Sequence, residues 1–190
     1  MDQSPSSIFI GLTGRMRSGK THIANVLIQN STNVLPIIIP FAKPLKELAS
    51  EYFGWDGRKD ERGRKLLQVL GTEVGREYGG WDFWVKKWEL AVEEFKNSQL
   101  ENLPKAWYSQ TKFLFIADDI RFSNEAEIII ENGGKVFEII NNQLENKDNH
   151  SSEVGIDPKY ITRIIDNSNY SLLDQRILEI VSEFFPIFGV

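Results

Sequence analysis

One stretch near the start of the chain, residues 8–21, restricts the possible folds more than any other. It reads Ile-Phe-Ile-Gly-Leu-Thr-Gly-Arg-Met-Arg-Ser-Gly-Lys-Thr, an apolar run followed by a glycine-rich loop. Its second half, from Gly14 to Thr21, fits the pattern G-x-x-x-x-G-K-[ST] at every fixed position. Glycines let successive backbone N–H groups turn toward phosphate oxygens, and the helix that follows adds its positive end. The stretch therefore predicts a buried strand, a phosphate-binding loop and a helix.

Several residues of this loop have an expected role at the phosphates of a nucleotide. Lys20 is expected to reach the β- and γ-phosphates, and the hydroxyl of Thr21 to ligate Mg²⁺. The guanidinium groups of Arg15 and Arg17 lie inside the loop, where they can neutralise charge on a transferred phosphoryl group. We predict that the whole loop binds the nucleotide, namely Gly14, Arg15, Met16, Arg17, Ser18, Gly19, Lys20 and Thr21.

Composition excludes several classes of function. The length of 190 residues suits one α/β domain, and the net charge of −5 argues against a general nucleic-acid binder. Because the chain has no cysteine, disulfides and thiolate metal sites are excluded. The sequence shows neither the apolar core of a signal peptide nor an apolar run of about 20 residues. We expect a cytoplasmic protein, in the host cytosol if it is viral, with no membrane partner.

Apolar runs alternate with helical patterns along the chain, which is typical of a parallel sheet with right-handed crossovers. The expected class is α/β with a five-stranded parallel sheet, and Pro36 and Pro40 favour an edge position for the second strand. The five predicted strands are 8–12, 34–41, 113–117, 136–140 and 161–165.

Two segments depart from this alternation, a helical insert at about 41–97 and a polar stretch at about 141–155. Small-molecule kinases need two such parts, one to hold the acceptor and one to close over the donor phosphates and exclude water. We therefore expect a single domain with a core of about 8–40 and 112–190, an acceptor-binding insert and a short lid.

The insert contains an aromatic and aliphatic stripe at helical spacing. Such a stripe predicts a helix whose inner face lies in the core, and Asp82 is its expected N-cap. The stripe consists of Trp84, Trp88, Ala91, Val92 and Phe95.

The third predicted strand ends in two carboxylates, Asp118 and Asp119. In P-loop proteins an Asp in this position lies near Mg²⁺, so we expect at least one of the pair to do so and assign Asp119, together with Thr21, to the metal. Arg121 would lie over the crevice at the carboxyl ends of the strands. The predicted catalytic residues are therefore Lys20, Arg15, Arg17, Arg121 and Asp119.

Arginines are frequent in the insert. Each one singly fits a solvated surface residue, but together they would form a cationic pocket for an anionic acceptor, because the guanidinium group binds phosphate in a bidentate manner. They are Arg58, Arg62, Arg64 and Arg76. The chain has two histidines, His22 and His150, too few and too distant in sequence to suggest a histidine metal site. His150 is either a substrate contact or an ordinary surface residue of the polar stretch.

Several short segments of the sequence resemble motifs of the phage-type deoxynucleoside monophosphate kinases. They are Phe41-Ala42-Lys43-Pro44-Leu45-Lys46; Leu67-Gln68-Val69-Leu70-Gly71-Thr72 with Gly75-Arg76; Asp119-Ile120-Arg121-Phe122-Ser123-Asn124-Glu125; His150-Ser151-Ser152-Glu153; and Ile165-Asp166-Asn167 before a helix. The resemblance extends from residue 8 to about 181. It implies a three-layer, adenylate-kinase-like P-loop kinase fold. It also implies transfer of the ATP γ-phosphate, with Mg²⁺, to a deoxynucleoside 5′-monophosphate.

The resemblance further implies an acceptor side built around the insert. Gln68 could read a base edge, since an amide both donates and accepts, but a capping or core amide fits equally well. The lid carries Lys147 and no arginine, so either Arg15 and Arg17 take over its role or the activity is weak. The predicted substrate-binding residues are Phe41, Lys43, Lys46, Arg64, Gln68, Arg76, Trp81, Arg121, His150 and Glu153.

Other functions stay open at this point. Phosphomevalonate kinases have a similar phosphate loop, and dephospho-coenzyme A kinases share the Gly-Leu-Thr-Gly sequence at its start. A degenerate member of the kinase family could also bind nucleotide without turnover. The retained Lys20, Thr21 and Asp119 favour an enzyme. The sequence leaves open which base is accepted and whether the chain is a monomer or a homodimer.

Overall fold

A computed structural model of the chain describes residues 5–142, 155–168 and 173–188. The strands are β1 (Ser6–Thr13), β2 (Leu35–Ile38), β3 (Lys112–Ile120), β4 (Lys135–Ile140) and β5 (Arg163–Asp166). The helices are α1 (Lys20–Asn30), α2 (Ala42–Phe53), α3 (Glu61–Gln68), a π-helix (Val69–Tyr78), α4 (Phe83–Leu100), α5 (Ser123–Glu131) and α6 (Leu173–Ser182), with 3₁₀ turns at Lys105–Gln110 and Pro158–Tyr160.

The five strands form one parallel sheet in the order β2-β3-β1-β4-β5. This confirms the predicted α/β class and the edge position of β2. That strand is shorter than predicted and ends at Ile38. Ile39 still donates its N–H to Ile116, but Pro40 has no N–H to continue the pairing. The central strand β1 places Ile10 and Leu12 beyond the reach of solvent, as expected where helices cover both faces of a sheet.

Helices cover the sheet on both sides and divide the core into two parts. On one side, α1 and α6 contribute Ile23, Leu27, Ile177 and Val181, which belong to one cluster with Leu114 and Ile116 of β3. On the other side, α4 and α5 contribute Trp88, Val92, Ala126 and Ile129, which belong to a cluster with Phe113 and Phe115 of the same strand. Since alternate residues of β3 belong to opposite clusters, β3 lies in the middle layer of three.

The aromatic stripe of the insert is confirmed as the buried face of α4. Trp88 is 1% exposed, its ring stacks on Phe41 with centroids 4.6 Å apart, and its Nε1–H donates to the Ile39 carbonyl at 2.7 Å. Asp82 precedes α4 as predicted, but its carboxylate makes no capping bond there and instead accepts from Asn124 Nδ2 at 3.0 Å. The insert is thus bonded to the end of β2 and to α5.

Within the insert, α3 continues directly as a π-helix of ten residues. Glycines allow this segment to lie directly against α4: a Cβ on Gly75 would fall 2.2 Å from Nε1 of Trp84. The same indole N–H donates to the Gly71 carbonyl at 2.8 Å. π-Helical turns are rare and occur frequently at functional sites. Among the helices that the structure describes, no segment is long and apolar enough to cross a membrane.

Replacing Trp88 by alanine should lower the free energy of unfolding by about 3–5 kcal/mol, because it removes a buried indole and leaves a cavity between the insert and the sheet. Trp88→Phe keeps a ring on Phe41 but leaves the Ile39 carbonyl without its donor, so we expect a loss of about 1–3 kcal/mol. Urea unfolding followed by circular dichroism measures both. Equal stability of the wild type and Trp88→Ala would contradict this packing.

Candidate active site

The loop between β1 and α1 has the backbone that its glycines permit. Gly14 and Gly19 have φ of +130° and +101°, values that other residues rarely adopt. A Cβ on Gly14 would also lie 2.2 Å from the carbonyl oxygen of Ile139, so β4 packs directly against the loop. Arg17, with φ of +68°, places a third left-handed residue at the exposed turn of the loop. The loop is therefore held in a strained curve between two strands and a helix.

Lys20 is the first residue of α1 and folds back over this curve. Its Nζ donates to the carbonyl oxygens of Gly14 at 2.7 Å and Arg15 at 2.8 Å. The first turn of α1 contains no acidic residue, and Gly19, which precedes it, has no side chain to cap the helix. The positive end of α1 and the Lys20 ammonium group therefore lie at one place, which favours an anion.

Thr21 connects the loop to the end of β3. Its hydroxyl donates to Oδ2 of Asp118 at 2.7 Å. Two residues before Asp118 on the strand, Ile116 belongs to the cluster that packs on α1, so alternation along β3 brings Asp118 to the side of α1. A hydroxyl and a carboxylate oxygen at this distance are the hard oxygen donors that Mg²⁺ accepts. The described residues hold no group of three or more acidic or histidine side chains that could bind a metal.

Asp119, which we assigned to the metal, has a different set of partners. Its carboxylate accepts from the backbone N–H groups of Phe41 at 2.7 Å and Ala42 at 3.1 Å, and so holds the first turn of α2. Loss of hydration raises the pKa of the Asp119 carboxyl, and the neighbouring Asp118 raises it further, against the opposing effect of these N–H groups. The structure thus favours Asp118 over Asp119 as the carboxylate beside Thr21.

A β-bulge lies at the two carboxylates. Gly11 pairs with Ala117 and Thr13 with Ile120, so two steps along β1 correspond to three along β3. The extra residue falls at the Asp118–Asp119 pair. Bulges occur next to active sites, where they redirect a side chain. Because adjacent residues of β3 face opposite sides of the sheet, Asp118 reaches the phosphate loop and Asp119 reaches the insert at this point.

Arg76, predicted to line an acceptor pocket, is 8% exposed and forms a buried ion pair instead. Its Nη2 donates to Glu125 Oε1 at 2.7 Å, and its guanidinium carbon lies 3.7 Å from the ring centroid of Phe122. The other oxygen of Glu125 accepts from the backbone N–H groups of Arg121 and Phe122. Burial raises the pKa of the Glu125 carboxyl. The pair connects the π-helix to the first turn of α5.

A second predicted substrate residue, Phe41, lies in the core rather than at a surface. Its ring is 3% exposed and stacks on Trp88, because its backbone must approach Asp119 at the start of α2.

The remaining predicted residues fall into three groups. Arg15, Met16, Arg17, Arg64, Gln68, Trp81 and Arg121 are exposed, while Lys43 and Lys46 are half-buried on α2. Trp81 is 55% exposed and lies edge-on to Phe122, with centroids 5.7 Å apart. The third group, His150 and Glu153, lies outside the described residues, as does most of the predicted lid. A cleft of about 400 Å³ lies beside the loop, between Gly14 and Arg15 on one side and the end of β4 on the other.

The sequence analysis did not anticipate the contact of Asp118 with Thr21, and it gave no role to Glu125 or Asn124. Alternation places Asp118 and Asp119 on opposite faces of β3, but residues 113–117 are all apolar, so the sequence does not indicate which of the two faces α1. Glu125 and Asn124 appeared within a motif, but a sequence carries no signal that pairs them with residues more than 40 positions earlier.

The sheet order, the glycine-rich loop after the central strand and the Thr21–Asp118 contact together define a P-loop kinase-type fold. The family model for deoxynucleotide monophosphate kinase matches residues 55–177. The chain belongs to this family, which confirms the resemblance that the sequence motifs indicate.

Two individual proteins show the same relationship. A protein of Acanthamoeba polyphaga mimivirus, named "Putative deoxynucleotide monophosphate kinase", is 30% identical over 168 residues, which cover 77% of this chain and 81% of the viral protein. The crystal structure of TT1252 from Thermus thermophilus matches 95% of this chain and 98% of its own, with a TM-score of 0.51 and 19% identity. The latter likeness shows the fold alone.

Replacing Arg76 by methionine should lower the free energy of unfolding by about 3–5 kcal/mol, because Glu125 is then a buried charge without its partner. The double variant Arg76→Met/Glu125→Gln should recover much of this loss, since glutamine keeps an acceptor for the two N–H groups without the charge. Urea unfolding of both variants and the wild type measures the difference. A double variant no more stable than Arg76→Met would show that the buried charge is not the source.

Proposed function

We propose that the chain transfers the γ-phosphate of ATP to a deoxynucleoside 5′-monophosphate, giving ADP and a deoxynucleoside diphosphate. One observation carries the proposal: adjacent carboxylates at the end of β3 serve the two sides of the crevice. Asp118 bonds to Thr21 of the phosphate loop, while Asp119 holds the start of α2 in the insert. Donor and acceptor sides therefore meet at the carboxyl ends of the central strands, where open α/β sheets bind their ligands.

The donor side consists of the loop and the first turn of α1. We infer that Lys20 exchanges the carbonyl oxygens of Gly14 and Arg15 for phosphate oxygens, which form stronger, charge-assisted hydrogen bonds. Thr21 and Asp118 would hold Mg²⁺. When bound, this ion neutralises charge on the β- and γ-phosphates. Arg15 and Arg17 lie on the exposed turn of the loop, close enough in sequence to face the same phosphates.

The acceptor side consists of the insert, about 41–97, and the start of α5. Asp119 fixes the first turn of α2, from which Lys43 and Lys46 extend, and Lys46 lies near enough to Asp119 to lower its pKa. The exposed Arg121 has its backbone N–H bonded to Glu125 at 2.9 Å. These three cations on two fixed helix ends suit the phosphate of a nucleoside monophosphate.

The reaction needs no strong base on the protein. The second pKa of a phosphate monoester is about 6, so an oxygen of the acceptor phosphate is already ionised near pH 7. This oxygen forms a bond to the γ-phosphorus, the bond to the bridging oxygen of ADP breaks, and ADP leaves. The chain contributes alignment and positive charge, from Lys20 and from Arg15, Arg17 and Arg121, which are the main sources of catalysis in phosphoryl transfer.

Release of ADP from ATP and Mg²⁺, measured in a coupled assay with dAMP, dGMP, dCMP, dTMP, phosphomevalonate and dephospho-coenzyme A, tests the proposal. We expect turnover with at least one deoxynucleotide, and a loss of more than about 100-fold in Lys20→Ala, in the range of lost phosphate-binding cations. Lys105→Ala, which removes an exposed lysine from a 3₁₀ turn, serves as the matched control. Turnover of phosphomevalonate or dephospho-coenzyme A, with none of any deoxynucleotide, would refute the proposed acceptor.

Comparison of Asp118→Asn with Asp119→Asn separates the roles of the two carboxylates. Asp118→Asn should raise the Mg²⁺ concentration needed for half-maximal activity and lower kcat by about 100-fold, as expected for a lost metal ligand. Asp119→Asn should raise KM for the acceptor with little change in the Mg²⁺ requirement, because it weakens the anchoring of α2. The opposite pattern would return the metal to Asp119.

A further inference from the structure

Asn167 lies directly after β5 and is completely buried. Its side-chain Nδ2–H donates to the carbonyl oxygen of Ser18 at 2.6 Å, although the two residues are 149 positions apart. Its backbone N–H donates to the Ile140 carbonyl at 2.7 Å, which fixes it against the end of β4. The side chain that follows the last strand thus contacts the phosphate loop from the interior of the protein.

This contact determines how one peptide unit of the loop is oriented. The bond between Ser18 and Gly19 is trans, since the described residues contain no cis peptide. In a planar trans peptide the C=O and N–H groups point in opposite directions. Because Asn167 holds the Ser18 carbonyl oxygen in the interior, the N–H of Gly19 points away from the interior, toward the side on which an anion would bind. A carbonyl turned the other way would repel phosphate.

The second glycine of the loop and Asn167 also fit each other in space. A Cβ on Gly19 would lie 2.1 Å from Nδ2 of Asn167, so the amide occupies the space that any side chain there would need. The positive φ of Gly19 is a separate reason for glycine. The loop can therefore approach Asn167 this closely only at a glycine.

The contact does not satisfy the polar groups around it, which argues against a purely structural role. Asn167 Oδ1 and Ser18 Oγ are both buried without a hydrogen-bond partner among the described residues. A buried amide oxygen without a donor destabilises a fold, so an apolar side chain would suit the core better. Departures of this kind are expected where a residue serves function rather than stability.

We propose that Asn167 is a positioning residue for the triphosphate of the donor, acting through the Ser18–Gly19 peptide. This inference rests on the proposed function, in that the loop binds a nucleoside triphosphate. It adds a residue from the opposite end of the chain to a site that the loop motif alone does not include. It predicts an effect on the donor and none on the acceptor.

The test measures the dissociation constant of ATP with Mg²⁺, and of inorganic tripolyphosphate with Mg²⁺, by titration calorimetry. Asn167→Ala removes the donor and should weaken both ligands by about tenfold, the effect of one lost hydrogen bond. Asn167→Asp keeps the shape but presents an acceptor to the Ser18 carbonyl and should weaken them further. The KM of the acceptor should stay within about twofold of the wild type, because Asn167 is expected to act on the donor alone.

Two controls keep the test specific. Asn132→Ala removes an amide that donates to the Ile128 carbonyl at 2.8 Å, at the far end of α5, and should leave both dissociation constants unchanged. Thermal unfolding of every variant shows whether the fold is retained. Wild-type affinity for ATP and tripolyphosphate in a folded Asn167→Asp chain would overturn the inference, as would equal weakening of donor and acceptor.

The outcome also separates this inference from the proposed function. A wild type that binds ATP but phosphorylates no deoxynucleotide would refute the proposed reaction, while the loss of ATP affinity on changing Asn167 would still support the positioning role. Full turnover with unchanged ATP affinity in the variants would support the reaction and refute the positioning role.

Discussion

The adjacent carboxylates Asp118 and Asp119 connect the two halves of this molecule. One accepts a hydrogen bond from the phosphate loop, and the other accepts two from the start of the helical insert. Side chains next to each other on a strand point to opposite faces, and a β-bulge lies at this pair. The loop and the insert are therefore both bonded to the same end of β3.

Other contacts near this point place charged and polar groups where a stable core would have apolar ones. Arg76 and Glu125 form a buried ion pair between the π-helix and α5, and Asn167 reaches the loop with its own oxygen unpaired. Buried ion pairs contribute little net stability compared with well-packed apolar residues. Their common feature is that each joins segments that are distant along the chain.

Membership of the deoxynucleotide monophosphate kinase family and the geometry of the crevice support each other. The family match covers residues 55–177, which include most of the insert and β3 but not the phosphate loop. The loop is identified by its sequence pattern, its left-handed residues and the contact of Thr21 with Asp118. The family match and the phosphate loop thus lie in different parts of the chain and indicate the same class of enzyme.

The sequence by itself determined the class of fold, the phosphate loop and the family. Alternating apolar runs predicted the parallel sheet, and two prolines predicted the edge position of β2. The spacing of Trp84, Trp88 and Val92 predicted the buried face of α4. These signals are local, because each arises from the geometry of one element. Motifs spread along the chain then identified the phosphate loop as that of a kinase.

Only the tertiary structure decided which side chains contact each other. It places Asp118 rather than Asp119 against Thr21, buries Arg76 and Phe41, and brings Asn167 into contact with the loop. None of these follows from periodicity, since residues 113–117 are all apolar, and an ion pair across 49 residues and a contact across 149 residues leave no regular pattern. Their physical origin is the packing of separate elements at the ends of the strands, which a local sequence pattern does not encode.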